Sequence, residues 1–277
     1  MRRSHIFGAI LIATPLLLTA GPSLQAWAAN RGDAARPAAK PDRSGCSRAQ
    51  FRVVLDVGHS KEVPGAKSAR GVPEFDFNLS LAQRIEKSLT GAGFKQTLLL
   101  VTPGPARAGL FKRVARANAL PADLFISVHH DSVPEWFLDV WTHGGKEHGY
   151  SDRFAGHSLF ISYENGQAEA SFRFAQLLGK QLKASGLRYT PHYTLPAMDW
   201  RRRDLLDVEA GVYRYDQLVV LRETKVPAVL LEAGSIVNRN EEVLMSTPER
   251  QTAIAGAVTK AVEQFCAARA SAQLPKS

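Results

Sequence analysis

Short apolar runs alternate along this chain with longer stretches in which apolar residues recur at helical spacing. Runs rich in Val, Ile, Leu and Phe, bounded by Gly, Pro or charged residues, predict strands. These predicted strands are Arg52–Val57, Gln96–Thr102, Leu124–His129, Ser158–Tyr163, Leu218–Leu221 and Ala228–Leu231. The predicted helices are Asp76–Thr90, Gly109–Leu120, Ala168–Ala184 and Pro248–Ala268. Strands that alternate with helices predict an α/β fold with a mostly parallel twisted sheet and helices on both faces.

Two of the predicted strands lead directly into histidines. The first strand stops abruptly at Gly58 and His59, and the third ends at His129. Ligands of open α/β sheets bind outside the carboxyl ends of the strands, so both imidazoles are expected at one edge of the sheet. Glu74 lies just before the first predicted helix. Two imidazoles and one carboxylate are typical of catalytic zinc sites, which makes His59, Glu74 and His129 the candidate metal ligands.

Glu232 ends the last predicted strand, directly after four apolar residues. A carboxylate in this position is costly to bury unless it is paired or functional, so Glu232 is the candidate general base facing the metal. Two neighbours of the candidate ligands have other expected roles. Asp56 is expected to orient the loop or a ligand histidine rather than bind metal. His130 should point to the opposite face of the strand from His129, as a structural or surface histidine.

The first 28 residues have the pattern of a signal peptide. A basic start with Arg2 and Arg3 precedes an apolar stretch too short to span a bilayer comfortably, and a small-x-small cleavage pattern ends at Ala28. We predict a signal peptide at 1–28, a flexible leader at 29–47, a single catalytic domain at 48–270 and a C-terminal tail at 271–277. The expected location is therefore periplasmic or secreted, by the general or the twin-arginine route.

Charge and cysteine content add to this picture of an exported protein. The formal charge is +9, and cleavage after Ala28 would remove the charges of Arg2 and Arg3. That balance favours an anionic polymer or membrane surface as partner, or serves solubility alone, and nucleic acid is not expected. Cys46 and Cys266 lie near the two ends of the predicted domain. In an oxidising compartment we expect them to form a disulfide, worth about 4 to 5 kcal/mol on the chain-entropy model.

Four stretches, taken in order, resemble the successive signatures of one known family. They are residues 54–59, 71–78, 125–129 and 226–242. They look like the zinc-dependent N-acetylmuramoyl-L-alanine amidases of the third amidase class, which are cell-wall hydrolases, and the resemblance covers residues 51–266. It implies that His59, Glu74 and His129 bind a zinc ion and that Glu232 is the catalytic carboxylate. The chain departs from the family pattern at residues 130–131, where it has His-Asp instead of a small residue and Asn.

The reaction implied by this resemblance is hydrolysis of the amide between N-acetylmuramic acid and L-alanine of the peptidoglycan stem peptide. Zinc would polarise the carbonyl, and Glu232 would take a proton from water and return it to the leaving amine. One alternative is a zinc carboxypeptidase, because His59 and Glu62 have the H-x-x-E spacing of its opening ligand pair. Glu74 is favoured because its surroundings match the amidase pattern. The other alternative is a non-catalytic peptidoglycan-binding module. We expect a monomer, and any activator protein is unidentified.

Two further segments carry candidate chemistry outside these signatures. Residues 131–157 are longer than the resemblance requires and are rich in aromatic and ligand-type side chains. They predict either a surface loop with an aromatic cluster or a lid in which Glu147 or His148 reaches the metal in a resting state. The basic run of residues 201–203 is expected to be solvated, with contact to stem-peptide carboxylates as the alternative.

Overall fold

Seven strands form one sheet in the computed structural model, which describes residues 45–273. The order of the sheet is β2-β1-β3-β9-β6-β8-β7, and β4 and β5 form a separate antiparallel hairpin. The strands are β1 (Arg52–Val57), β2 (Gln96–Leu100), β3 (Leu124–Asp131), β4 (Asp139–His143), β5 (Lys146–Tyr150), β6 (Ser158–Ile161), β7 (Leu205–Asp207), β8 (Val212–Arg214) and β9 (Ala228–Ser235). The predicted signal peptide and most of the predicted leader lie outside the described residues.

The four strands from β2 to β9 pair in parallel, and β6 pairs with β9 in the antiparallel direction. Strands that are buried on both faces have continuous apolar sequences, so β1, β3 and β9 could be predicted from the sequence. Within β3, the side chains of Leu124, Ile126 and Val128 belong to one hydrophobic cluster and that of Phe125 to another. The mostly parallel sheet predicted from the sequence is therefore confirmed.

Helices cover both faces of this sheet, as predicted. They are α1 (Glu74–Gly91), α2 (Ala106–Ala119), α3 (Ala168–Ala184), α4 (Val219–Arg222), α5 (Arg239–Met245) and α6 (Pro248–Gln273). Helix α6 packs against both α1 and α3, and the three helices share the larger hydrophobic cluster with one face of the sheet. Helices α2 and α4 pack together on the other face. None of the helices in residues 45–273 combines the length and apolar character needed to cross a membrane.

The strand predicted at Leu218–Leu221 is wrong, because this segment forms the short helix α4. The backbone amides of Leu221 and Arg222 both donate to the carbonyl oxygen of Leu218, at 3.0 Å. Val220 and Leu221 are buried against the face of the sheet that α2 also covers, so these residues are apolar because they are buried and not because they pair in a strand. A run of four apolar residues is too short for its periodicity to distinguish the two structures.

The predicted disulfide joins the start of the described chain to the last helix. Cys46 and Cys266 are bonded, with a Cα–Cα distance of 5.3 Å across 220 positions of sequence. Both cysteines lie within the larger hydrophobic cluster, next to the edge-to-face pair of Phe51 and Phe265, whose ring centroids are 6.5 Å apart. The bond therefore connects two segments that also pack together.

Candidate metal centre and catalytic cleft

Three side chains from separate parts of the chain converge at the carboxyl end of the parallel strands. The Nε2 atom of His59 lies 3.0 Å from Oε2 of Glu74, and the Nδ1 atom of His129 lies 3.1 Å from Oε1. One ligand atom from each residue lies within 4.8 Å of the other two. The structure thus brings together the three residues that the sequence predicted as metal ligands. Among residues 45–273 they form the one cluster of ligand-type side chains with this spacing.

The turn after β1 has an unusual backbone that brings His59 to the cluster. His59 itself has a φ of 65°, in the left-handed region that few non-glycine residues adopt. Gly58 has no space for a side chain, because a Cβ atom there would lie 2.5 Å from the His129 ring. Gly65, with a φ of +81°, likewise approaches Glu74, and its Cβ would lie 2.5 Å from Oε2. Strained backbone held around converging polar groups is typical of functional sites.

Buried neighbours fix the orientation of Glu74. The side-chain amide of Asn78 donates to Oε1 of Glu74 at 3.1 Å, and its oxygen pairs with Nδ1 of His130 at 2.8 Å. Burial would raise the pKa of Glu74, but hydrogen bonds and charge from His129 and His59 outweigh it and hold this pKa well below its usual range. Burial lowers the pKa of His130 to about 4, so this imidazole is neutral and structural, as predicted.

A buried ion pair between Arg113 and Asp56 supports the turn that contains His59. Arg113 donates to the carbonyl oxygen of His59 and also lies 3.3 Å from Oδ2 of Asp56. The hydroxyl of Ser127 donates to the same Asp56 oxygen at 2.8 Å. Burial raises the pKa of Asp56, and Arg113 opposes that shift. Asp56 therefore orients the loop through Arg113, in agreement with its predicted role. The contribution of Arg113 was missed in the sequence, where it is one cation of a basic helix.

Glu232 lies beside the cluster on the neighbouring strand. Its Cα atom is paired in register with that of His129, so in this parallel ladder the two side chains project to the same face. Its Oε2 atom is buried and has no hydrogen-bond partner among the described residues. Burial raises the pKa of Glu232 well above its usual range, the charges of Asp131 and Glu74 raise it further, and Arg201 opposes them. Burial without a hydrogen-bond partner on Oε2 therefore favours the protonated form of Glu232 more than in an exposed carboxyl group.

Asp131 and Arg201 form a polar network next to Glu232 that the sequence did not predict. The hydroxyl of Tyr193 donates to Oδ1 of Asp131 at 2.7 Å, and Nη2 of Arg201 lies 3.7 Å from the same oxygen. Burial raises the pKa of Asp131 to about 7, against the effects of Tyr193 and Arg201. The prediction that residues 201–203 are solvated is therefore wrong for Arg201, whose side chain is 22% exposed. A charge run in a sequence does not reveal a buried partner 70 positions away.

One cavity of about 580 Å³ opens over these groups. The cluster, Glu232 and Asp131 line it, together with an apolar wall that includes Leu110, Phe160 and Val220. Three arginines, Arg113, Arg201 and Arg203, also line the cavity. The volume lies in the range of small-ligand sites, and the mixture of apolar wall and a few polar groups is typical of them.

Two other candidate ligands lie outside the cluster. Glu62 is exposed and accepts a hydrogen bond from the amide of Gly104 at 3.2 Å. Glu147 is exposed on β5, and His148 on the same strand packs against Gly71. Neither the carboxypeptidase pairing nor the resting-state contact proposed for the 131–157 segment is present in the structure. That segment folds mainly as the β4–β5 hairpin.

Comparison with known proteins agrees with this geometry. The family described as N-acetylmuramoyl-L-alanine amidase matches residues 53–264. N-acetylmuramoyl-L-alanine amidase Rv3717 of Mycobacterium tuberculosis is 24% identical over 212 residues, which cover 76% of each chain. The fold is similar to that of the amidase Ami1 from Mycobacterium smegmatis, with a TM-score of 0.60, 21% identity and coverage of 79% of this chain and 98% of that one.

A third similar structure is that of the CwlD amidase from Clostridioides difficile in complex with the GerS lipoprotein. It has a TM-score of 0.55 and 17% identity, and the match covers 78% of this chain and 98% of that one. At this identity the likeness concerns the fold alone. The family match spans most of the chain, including all four candidate site residues. The chain belongs to the N-acetylmuramoyl-L-alanine amidase family, whose members hydrolyse an amide bond of peptidoglycan.

Proposed function

We propose that this protein is a zinc-dependent amidase that cleaves the bond between N-acetylmuramic acid and L-alanine of the stem peptide. The observation that carries the proposal is the convergence of His59, Glu74 and His129 beside Glu232 in one cavity. Two imidazole nitrogens and a buried carboxylate are a donor set that suits zinc and leaves a coordination position open. A bound cation would also stabilise the negative charge of Glu74, which is buried between two imidazoles.

His59, Glu74 and His129 would hold the metal. When bound, zinc supplies Lewis acidity, which polarises the amide carbonyl and lowers the pKa of a water ligand. Glu232 would take the proton of the attacking water on its unpartnered Oε2 atom. It would then return that proton to the amine of L-alanine as the amide bond breaks. The raised pKa of Glu232 favours uptake of the proton, because it makes this carboxylate a stronger base than an exposed one.

Digestion of purified peptidoglycan tests this proposal. We expect new L-alanine amino termini and free lactyl carboxyls, identified by mass spectrometry, and we expect a chelator to abolish both until zinc is restored. Release of terminal amino acids instead would indicate a carboxypeptidase. Absence of any new ends in the zinc-loaded protein would favour the non-catalytic binding module.

We also propose that the protein acts outside the cytoplasm, after removal of residues 1–28. The disulfide between Cys46 and Cys266 supports this location, because such bonds persist in oxidising compartments. Fractionation of the native host and sequencing of the mature amino terminus test it. An intact amino terminus on a cytoplasmic protein would contradict the proposal. The expected monomer remains a prediction, which light scattering of the purified protein checks.

A further inference from the structure

Arg203 differs from the other two arginines of the cavity in having no acidic partner. Arg113 lies 3.3 Å from a carboxylate oxygen of Asp56, and Arg201 lies 3.7 Å from one of Asp131. No carboxylate oxygen within the described part of the chain comes within 4.0 Å of the Arg203 guanidinium. Within residues 45–273, Arg203 is therefore the one cavity arginine without a carboxylate partner.

The surrounding structure nevertheless holds the Arg203 side chain in place. Its Nη1 atom donates to the backbone carbonyls of Trp200 and Arg202, at 2.8 and 2.7 Å. Its guanidinium carbon lies 3.8 Å from the ring centroid of Tyr215, in a cation–π contact. Its Nε atom is buried and has no hydrogen-bond partner among the described residues. A guanidinium that is fixed by backbone carbonyls and an aromatic ring, and that has no carboxylate partner among the described residues, is pre-organised to bind an anion, and carboxylates match its planar geometry.

A wall of aromatic rings connects Arg203 to the metal centre. Tyr193, whose hydroxyl binds Asp131, has its ring centroid 5.1 Å from that of Phe160. The Phe160 ring centroid lies 5.8 Å from that of Tyr215, on which Arg203 stacks. An extended peptide advances about 3.3 to 3.6 Å per residue, so each of these steps corresponds to one or two residues. A peptide whose first amide lies at the metal centre can therefore reach Arg203 within its first few residues.

Arg203 and the acidic groups of the cavity lie in different parts of its lining. Glu74, Asp131 and Glu232 lie around the candidate metal centre, whereas Arg203 lies on the wall that includes Tyr215. An anionic group on a substrate is attracted to a guanidinium that has no carboxylate partner. This arrangement favours one direction of binding, with the anionic part of the peptide towards Arg203.

We propose that Arg203 is a specificity-determining residue that binds a free carboxylate of the stem peptide close to L-alanine. The inference rests on the proposed amidase function and deepens it by assigning the site a preference for an acidic peptide. A carboxamide at the same place would lack the charge and would leave the guanidinium unpaired.

The test uses pairs of muramoyl peptides that differ only in having a carboxylate or a carboxamide at one residue, taken in turn over the first few residues after L-alanine. Zinc-loaded wild-type protein should cleave the carboxylate substrate with a kcat/KM about tenfold to a hundredfold higher, the range expected for a hydrogen-bonded charge pair. Arg203→Gln should lose this preference, with the loss of kcat/KM falling mainly on the carboxylate substrate. Arg202→Gln, a change at an exposed neighbour, should keep the wild-type preference.

Circular dichroism and the thermal unfolding midpoint of Arg203→Gln serve as its folding control. Equal cleavage of both substrates by wild-type protein, or equal losses on both in Arg203→Gln, would overturn the inference while leaving the amidase function intact. If wild-type protein cleaves neither substrate, the proposed function fails. Titration calorimetry with the matching L-alanyl dipeptides then decides the inference separately. Tighter binding of the carboxylate form that depends on Arg203 supports it, and equal binding refutes it.

Discussion

Replacement of Glu232 by glutamine isolates the proton-transfer step from metal binding. The substitution keeps the size of the side chain and removes its ability to take up a proton. Asp131, whose charge raises the pKa of Glu232, is a neighbouring carboxyl group that could substitute, but its Oδ1 atom accepts from Tyr193 at 2.7 Å and lies beside Arg201. Because Asp131 is held in this way, we expect no rescue. General acid-base catalysis contributes about 10² to 10⁴-fold, and the variant should lose an amount near the upper end, about 4 to 5 kcal/mol in activation free energy.

The assay for this variant follows release of new L-alanine amino termini from a muramoyl peptide, with zinc content measured on the same samples. Glu232→Gln should retain one zinc ion per chain and lose turnover, and Glu74→Gln should lose both. Glu147→Gln is the matched control, because this carboxylate is exposed on β5. Turnover by Glu232→Gln within tenfold of wild type would remove Glu232 from the mechanism. Loss of zinc together with turnover would instead assign it to the metal site.

The same variant has a second expected effect, on stability. The pKa of Glu232 is raised in the folded protein above its value of 4.5 in an unfolded chain. A raised pKa means that the contribution to stability is fully present below pH 4.5 and is lost as pH rises through the folded-state pKa. In metal-free protein, Glu232→Gln should therefore gain stability relative to wild type as the pH rises from 5 to 8, because wild type loses this contribution and the glutamine side chain does not titrate. A pH-independent difference in urea unfolding would contradict this reasoning.

Two further substitutions test the backbone and the disulfide around the site. Gly65→Ala places a Cβ atom 2.5 Å from Glu74 and should weaken zinc binding about 10- to 100-fold in a chelator competition. Its control is Gly186→Ala, at a similar φ of +79° with open space around it, which should cost about 1 kcal/mol of stability and leave the zinc affinity unchanged. Equal zinc affinities in the two variants would refute the steric argument. Cys46→Ser should lower the free energy of unfolding by about 2 to 5 kcal/mol in urea titrations, to the level of reduced wild-type protein, and an unchanged midpoint would show that the bond adds no stability.

The meeting of His59, His129 and Glu232 at one edge of the sheet could be predicted from the sequence because each residue ends or interrupts an apolar run. His59 and His129 end buried apolar runs, and Glu232 interrupts one. Parallel pairing of β1, β3 and β9 then places these strand ends side by side. The opposite orientation of His130 also followed from the alternation of side chains along a strand. In each of these cases the local pattern and the tertiary structure agree.

Local patterns could not predict the groups whose role depends on distant partners. The segment that forms α4 was predicted as a strand because its residues are apolar, but they are buried by packing and not by strand pairing. Arg201 was predicted to be solvated because the sequence does not reveal its contacts with Asp131 and Tyr193. Arg113 resembled an ordinary residue of a basic helix, although it supports the His59 turn. All three depend on contacts between residues far apart in the sequence.

Residues 201–203 show why a run of like charges must be interpreted one residue at a time. The side chain of Arg201 is mostly buried beside Asp131, Arg202 is exposed, and Arg203 stacks on Tyr215 with a buried, unused donor. The peptide backbone turns between them, so neighbouring cations face different surroundings. Neutralising the whole run would disturb the Asp131 network and the surface together with the cavity wall. Only the comparison of Arg203→Gln with Arg202→Gln separates recognition of an acidic peptide from the general attraction of a basic protein to an anionic polymer.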